Sequence, residues 1–253
     1  MTRVGTFSPA PGAAPILRQV TTQASMEARL MLRNGEQLLL AVVIPVIVLI
    51  GGVRGADRVN LSYGVDTFTP GVLALAVMST SFTSLAIATG FERRYGVIKR
   101  LGTSPLSRTG LLLGKVLALL LVEVLQVAVI SSVGFALGWD PDADVLGLLL
   151  AVTLGTAAFA ALGLLVAGSL RAEATLAAAN LIYLLLLAGG AVVLPVSAYG
   201  SFGDVVGYLP SGALGEAMRT ALSDAAVAGR DLLVLAAWAV IGAIATARTF
   251  TWE

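Results

Sequence analysis

Between Asp66 and Glu92 no side chain carries a charge, and directly after that run the chain becomes densely basic. A helix needs about 20 residues to cross the hydrocarbon core of a bilayer. In that medium backbone N–H and C=O groups must be satisfied internally, so the run is expected to be helical. The pattern recurs. Six apolar runs are expected to span a membrane: about 34–53, 68–90, 111–138, 145–170, 174–195 and 231–248. Runs one and six are marginal in length and call for snorkelling ends or local thinning. Pro45 is expected to kink the first. Only 12% of residues are charged, about half the usual share in soluble domains. The expected fold class is an all-α polytopic membrane protein, with residues 15–253 forming one transmembrane domain.

Lys and Arg in the loops set orientation. Of sixteen such residues, only Arg54, Arg58, Arg219 and Arg230 fall on the side opposite the basic loop. Both termini are therefore expected in the cytoplasm. The loop 139–144 holds Asp140, Asp142 and Asp144 with no base; it suits the outer face, with Trp139 at the interface. Residues 1–14, rich in Pro, Ala and Gly, read as a disordered tail. They are not read as a signal peptide, because the first apolar run starts near Leu38 and continues as a full span.

Cysteine and histidine are both absent, which excludes disulfides, thiolate nucleophiles and Cys/His metal sites. No metal site is expected.

Two segments lie outside the spans. In 15–36, Ile16, Val20, Ala24, Ala28 and Met31 recur at helical spacing, with Arg18, Glu27, Arg29 and Arg33 off the stripe. This predicts an interfacial helix on the inner leaflet. The connection 196–230 is broken by Gly200, Gly203, Gly207, Pro210 and Gly212. Ser211 is expected to N-cap a short helix with Leu214, Met218 and Leu222 on one face. Such an apolar segment is expected to be re-entrant or packed on the outer ends of the spans.

The basic loop carries Arg93, Arg94, Lys99, Arg100 and Arg108. Phe91, Tyr95, Ile98 and Leu101 fall on one helical stripe. Glu92 at the start and Lys99 and Arg100 at the end complement the helix dipole. Gly102 fits a C-cap and Pro105 stops the helix. Physics alone leaves open whether this amphipathic helix is a topological anchor or a docking element.

The run Glu92-Arg93, Gly96, Lys99-Arg100-Leu101, Ser104-Pro105-Leu106-Ser107 and Leu112-Leu113-Gly114-Lys115 closely resembles the cytosolic signature of ABC-2 type transporter permeases. Gln126, Gly134, Gly138, Asn180, Tyr183 and the segment Pro210, Glu216-Ala217, Arg219 extend the likeness over residues 15–250. Val97 departs from it, standing where a small polar residue is common. Ala188-Gly189-Gly190 departs too, where a Ser-Gly pair is more typical. The resemblance implies the membrane subunit of an ABC exporter in a bacterial plasma membrane, moving an amphipathic drug, lipid or glycolipid. It implies a coupling helix between spans 2 and 3, with Glu92, Arg93, Arg94, Tyr95, Gly96, Lys99, Arg100, Leu101 and Pro105 meeting a cytosolic ATPase. It also implies two ATPase copies and a second permease subunit, identical or not, with membrane lipid around them and no nucleic acid.

This chain has no phosphate-binding loop of its own. The nearest lookalike, Gly110-Leu111-Leu112-Leu113-Gly114-Lys115-Val116, has the wrong spacing and no hydroxyl after the lysine. ATP and magnesium would be held by the partner, and the chain itself is expected to be neither an enzyme nor a cofactor binder.

Within the spans, Glu123 is a lone deep acid and Gln126 shares its face. They are read either as a transport path or dimer seam, or as structural interhelical hydrogen bonds. Asn180 and Tyr183 share a face of span 5 and leave the same two readings open. The hydroxyls of span 2 favour close helix packing. The small residues Gly134, Gly138, Gly147, Ala151 and Gly155 are weak hints of dimerisation. The alternative class is an ATP-independent secondary carrier or a small integral membrane enzyme.

Overall fold

The computed structural model describes residues 14–33, 35, 39–58, 63–101 and 107–249. The expected tail 1–14, apart from Ala14, and Pro105 lie outside the described residues, as do Gly102 and Asn34. Among the described residues every regular element is helical. The α-helices of five or more residues are α1 (Ile16–Arg33), α2 (Ile44–Arg58), α3 (Val65–Arg94), α4 (Val97–Leu101), α5 (Arg108–Ala136), α6 (Val145–Ser169), α7 (Ala172–Gly189), α8 (Pro210–Ser223) and α9 (Gly229–Thr249); a 3-10 helix, Val196–Phe202, and a single turn, Gly203–Val206, precede α8.

Five of these, α3, α5, α6, α7 and α9, are long and apolar enough to cross a membrane. The first expected span takes a different form: a π-helical turn, Leu39–Val43, leads into the 15-residue α2. Pro45 explains the join. It has no N–H for the carbonyl of Ala41 and its ring crowds that carbonyl. The side chain of Gln126 on α5 supplies the missing donor, Nε2 lying 2.6 Å from the Ala41 oxygen.

Helix α3 is the hub. Its most apolar window is 72% buried, against 17% for α7, so α3 is enclosed by protein while α7 presents most of its surface outward. The core joins Leu75, Met78 and Phe82 of α3 to Phe159 of α6, Leu214 and Met218 of α8 and Leu235 of α9. Within α3 a π-helical segment, Ser79–Ser84, widens the helix. It abuts Gly163 of α6, where a Cβ would stand 2.8 Å from the Phe82 carbonyl oxygen.

Side-chain caps start α5 and α6. Ser107 accepts from Gly110 N at 3.0 Å, and Asp144 accepts from Gly147 N at 2.7 Å. Trp139 is buried against Gly134 and Phe135 within the protein instead of standing at an interface. The small residues are likewise used internally: Gly134 meets Thr69, Gly147 meets the Ala226 carbonyl, and Gly155 meets Leu214.

Two expectations need correction. The fifth span was expected to reach residue 195, but α7 ends at Gly189 and residues 190–195 run irregularly through the interior. Ser211 is not an N-cap. Leu209 holds that position, and Pro210 takes the first helical turn, where its missing N–H costs nothing. Leu214, Met218 and Leu222 do share the buried face of α8.

The irregular stretch 190–195 shows why α8 is there. Ala191 and Val192 are fully buried, so their backbone groups need partners inside the protein. Arg219 of α8 supplies them. Its Nη2 donates to the carbonyls of Ala191 at 3.1 Å and Leu194 at 3.2 Å, and its Nη1 to Val193 at 3.3 Å. Glu216 pairs with Arg219 at 3.1 Å and accepts from the N–H of Val196 at 2.7 Å. Gly71 makes room for the strand, since a Cβ there would lie 2.3 Å from the Val193 oxygen.

Candidate functional site

The expected coupling helix is two pieces. Helix α3 continues through Arg94 and then turns at Tyr95-Gly96 before the five-residue α4. Gly96 has a positive φ of 67°, the left-handed conformation that ends helices. Its N–H bonds the Arg93 carbonyl at 3.0 Å. A Gly just beyond two basic residues is a helix-stop signal, so this break is readable in the sequence at Arg93-Arg94-Tyr95-Gly96. Phe91 and Tyr95 stack at 6.2 Å as the stripe requires. The chain then bends, so that stripe does not continue along one helix into α4.

The charges of this turn face two ways. Glu92 Oε1 lies 2.8 Å from Lys115 Nζ on α5, and Lys115 is also 3.2 Å from Glu27 Oε2 on α1. Lys115 is only 3% exposed. Gln23 donates to Glu27 Oε1 at 2.6 Å. Burial pushes the Glu27 carboxyl above its ordinary range, with Lys115 opposing the shift. Gly114 lets α1 approach α5 here; a Cβ would stand 2.8 Å from Gln23 Cγ. Arg93 donates to the carbonyls of Ala167 and Leu170, capping the C-terminal end of α6. Arg94 pairs with Glu173 in the first turn of α7. Three consecutive residues thus tie the turn to α5 with α1, to α6, and to α7.

The tip of the turn faces outward. Tyr95 is 62% exposed, with the Arg94 guanidinium 5.9 Å from its ring centre. Lys99 and Arg100 are exposed, and Arg100 donates to the Tyr95 carbonyl at 3.4 Å. Leu101 is the last residue of α4.

Glu123 and Gln126 are both fully buried inside the protein. Glu123 Oε2 accepts from Thr156 of α6 at 2.5 Å, and its other oxygen is buried without a hydrogen bond. Gln126 bonds Thr80 in the π-helical segment at 2.8 Å and the Ala41 carbonyl described above. Tyr183 packs against the core cluster that holds Met78, just before the same segment, and Phe82, within it. Gln126 and Tyr183 therefore meet α3 from two sides, while Asn180 is exposed on α7 and joins neither. Sequence reasoning missed Glu27 and did not single out Lys115 as a site residue. They are 88 positions apart, and neither helix's own periodicity reports the other.

A helical bundle with five helices long and apolar enough to cross a membrane fits a polytopic membrane protein. The family of ABC-2 family transporter proteins matches residues 37–248. The chain belongs to that family, whose members are membrane components of transporters. Among curated proteins none matches the chain.

Proposed function

We propose that the chain is the permease subunit of an ATP-driven exporter, energised by an ATPase on a separate polypeptide that binds ATP and magnesium. The observation that supports this best is the construction of the turn after α3. Its tip, Tyr95, Lys99 and Arg100, is exposed, while Glu92, Arg93 and Arg94 behind it are each tied to another helix. A push on the tip is delivered to α5, α6 and α7 together. ATPase closure is thereby converted into movement of the spans, a two-state coupling in which the partner contacts one state better than the other.

On this reading the segment 39–58 completes six spans, both termini are cytoplasmic, and α1 lies along the inner leaflet of a bacterial plasma membrane. Two permease subunits pair, with α7 contributing Asn180 toward the partner. The cargo is an amphipathic molecule moved outward. An ATP-independent carrier would draw on Glu123, because midplane acids are typical of such proteins.

Co-purification with a candidate ABC ATPase tests the proposal. Lys99→Glu with Arg100→Glu should abolish association and substrate-stimulated ATP hydrolysis while the protein stays in the membrane. Unchanged association and hydrolysis would refute tip docking.

A further inference from the structure

A cleft of about 490 Å³ opens between the turn after α3 and the junction of α6 with α7. Its walls carry four cations, Arg93, Arg94, Lys99 and Arg171, against one carboxylate, Glu173. Glu173 is already paired with Arg94. Arg93 is held in place by the carbonyls at the end of α6. Lys99 and Arg171 are exposed at the cleft, and neither has an ion pair among the described residues. Gly90 and Gly96 line the same space.

Two further features bear on what fits. The first turn of α7 borders the cleft, and its N-cap residue, Arg171, makes no side-chain capping bond. The positive end of that helix dipole adds to the basic side chains. Beyond the polar walls the surface turns to carbon: Leu170 is 38% exposed at the rim, and Leu176, one turn along α7 from Ala172, is 40% exposed.

We propose that this cleft binds the phosphate of an anionic membrane phospholipid, with the acyl chains leaving along Leu170 and Leu176. Basic pockets between the cytoplasmic ends of spans attract such headgroups. A soluble phosphate would use the same cations but has no use for the apolar exit. An acidic protein segment would meet the cations but gains little from exposed leucines on a membrane helix. The site rests on the cytoplasmic placement in the reading above but needs no motor protein, and Arg171, which is not part of the docking tip, tells the two apart.

The test uses the full chain in detergent micelles, with phosphatidylglycerol or phosphatidylcholine added and retained lipid counted by native mass spectrometry. The wild type should retain phosphatidylglycerol over phosphatidylcholine. Lys99→Gln with Arg171→Gln should lower that retention about fivefold for each cation removed. Arg54→Gln with Arg58→Gln, at the other end of the bundle, should leave it unchanged, and Arg171→Lys should largely preserve it. As a check independent of yield, phosphatidylglycerol should raise the unfolding temperature of the wild type and not of the double variant. Displacement by inorganic phosphate would assign the site to soluble phosphate; persistence in its presence assigns it to lipid. Equal retention of both lipids by the wild type overturns the proposal. So does a double variant that keeps its lipid and loses only the partner ATPase.

Discussion

Lys115 and Arg219 are both buried cations, 3% and 8% exposed, and they are held in opposite ways. Lys115, beside the basic turn, lies between the carboxylates of Glu27 and Glu92, on two other helices. Arg219, at the far end, spends its donors on the backbone carbonyls of an irregular strand, with one carboxylate on its own helix. The first arrangement joins side chains that can ionise, exchange partners and separate. The second replaces missing helical hydrogen bonds along the irregular segment 190–195. The end with the basic turn is thus held by side-chain ion pairs between helices, and the far end by side-chain bonds to backbone.

Breaking the far end should have the largest effect. Arg219→Met leaves several buried carbonyls and Glu216 unpaired, a loss of order 3–5 kcal/mol, seen as a large drop in the unfolding temperature of the solubilised protein. Arg219→Lys should not rescue it, because an ammonium cannot reproduce the fork of guanidinium donors. Rescue by Lys would show that only charge matters there and would collapse the contrast with Lys115.

At the end with the basic turn, Lys115→Met should cost about 2 kcal/mol, reduced by the partial exposure of both carboxylates. Adding Glu27→Gln to it should recover part of that loss, because one of two facing acids is removed. Failure of the second change to help would mean that Lys115 acts by packing. Gly71→Ala sharpens the comparison from the other side. Its methyl would drive into the Val193 carbonyl, at a cost of about 1–3 kcal/mol typical of overpacking, and no ionisable partner can relieve it.

Smaller effects lie between the two ends. Glu123→Gln keeps an acceptor for Thr156 and should change stability by only about 0.6 kcal/mol, the average for hydrogen bonds between membrane helices. A loss of transport with stability intact would assign the carboxylate a charge-dependent role. The smallest effect should come from pH. The folded value of Glu27 is raised above the ordinary 4.5, so the folded protein holds that proton more tightly than the unfolded chain. Its contribution to stability is full below the ordinary value and is lost as pH rises through the raised one. Glu27→Gln should flatten that part of a plot of unfolding temperature against pH.

Much of the helical layout was readable because hydropathy reports each segment separately. Residues 145–170 were expected as a span, and α6 covers Val145–Ser169. Errors gathered where a partner decides the outcome. Ala191 to Leu194 are as apolar as the helix before them, and only Arg219 makes an irregular path through the interior affordable. Trp139 has the character of an interfacial residue, but Gly134 leaves a place for its ring inside the protein. In the candidate site, the basic turn was legible as a dense local run. Its bracing was not, because Glu27, Lys115, Ala167 and Glu173 reach it from other helices.

By itself the sequence determined that this chain is a bundle of membrane helices with a basic turn after the second apolar run, since hydrocarbon admits no charge and no unpaired backbone over such lengths. Tertiary structure alone decided which way each charge of that turn faces. A cation buried next to carboxylates or carbonyls takes its partner from whichever helix packs there, and local periodicity carries no record of that neighbour.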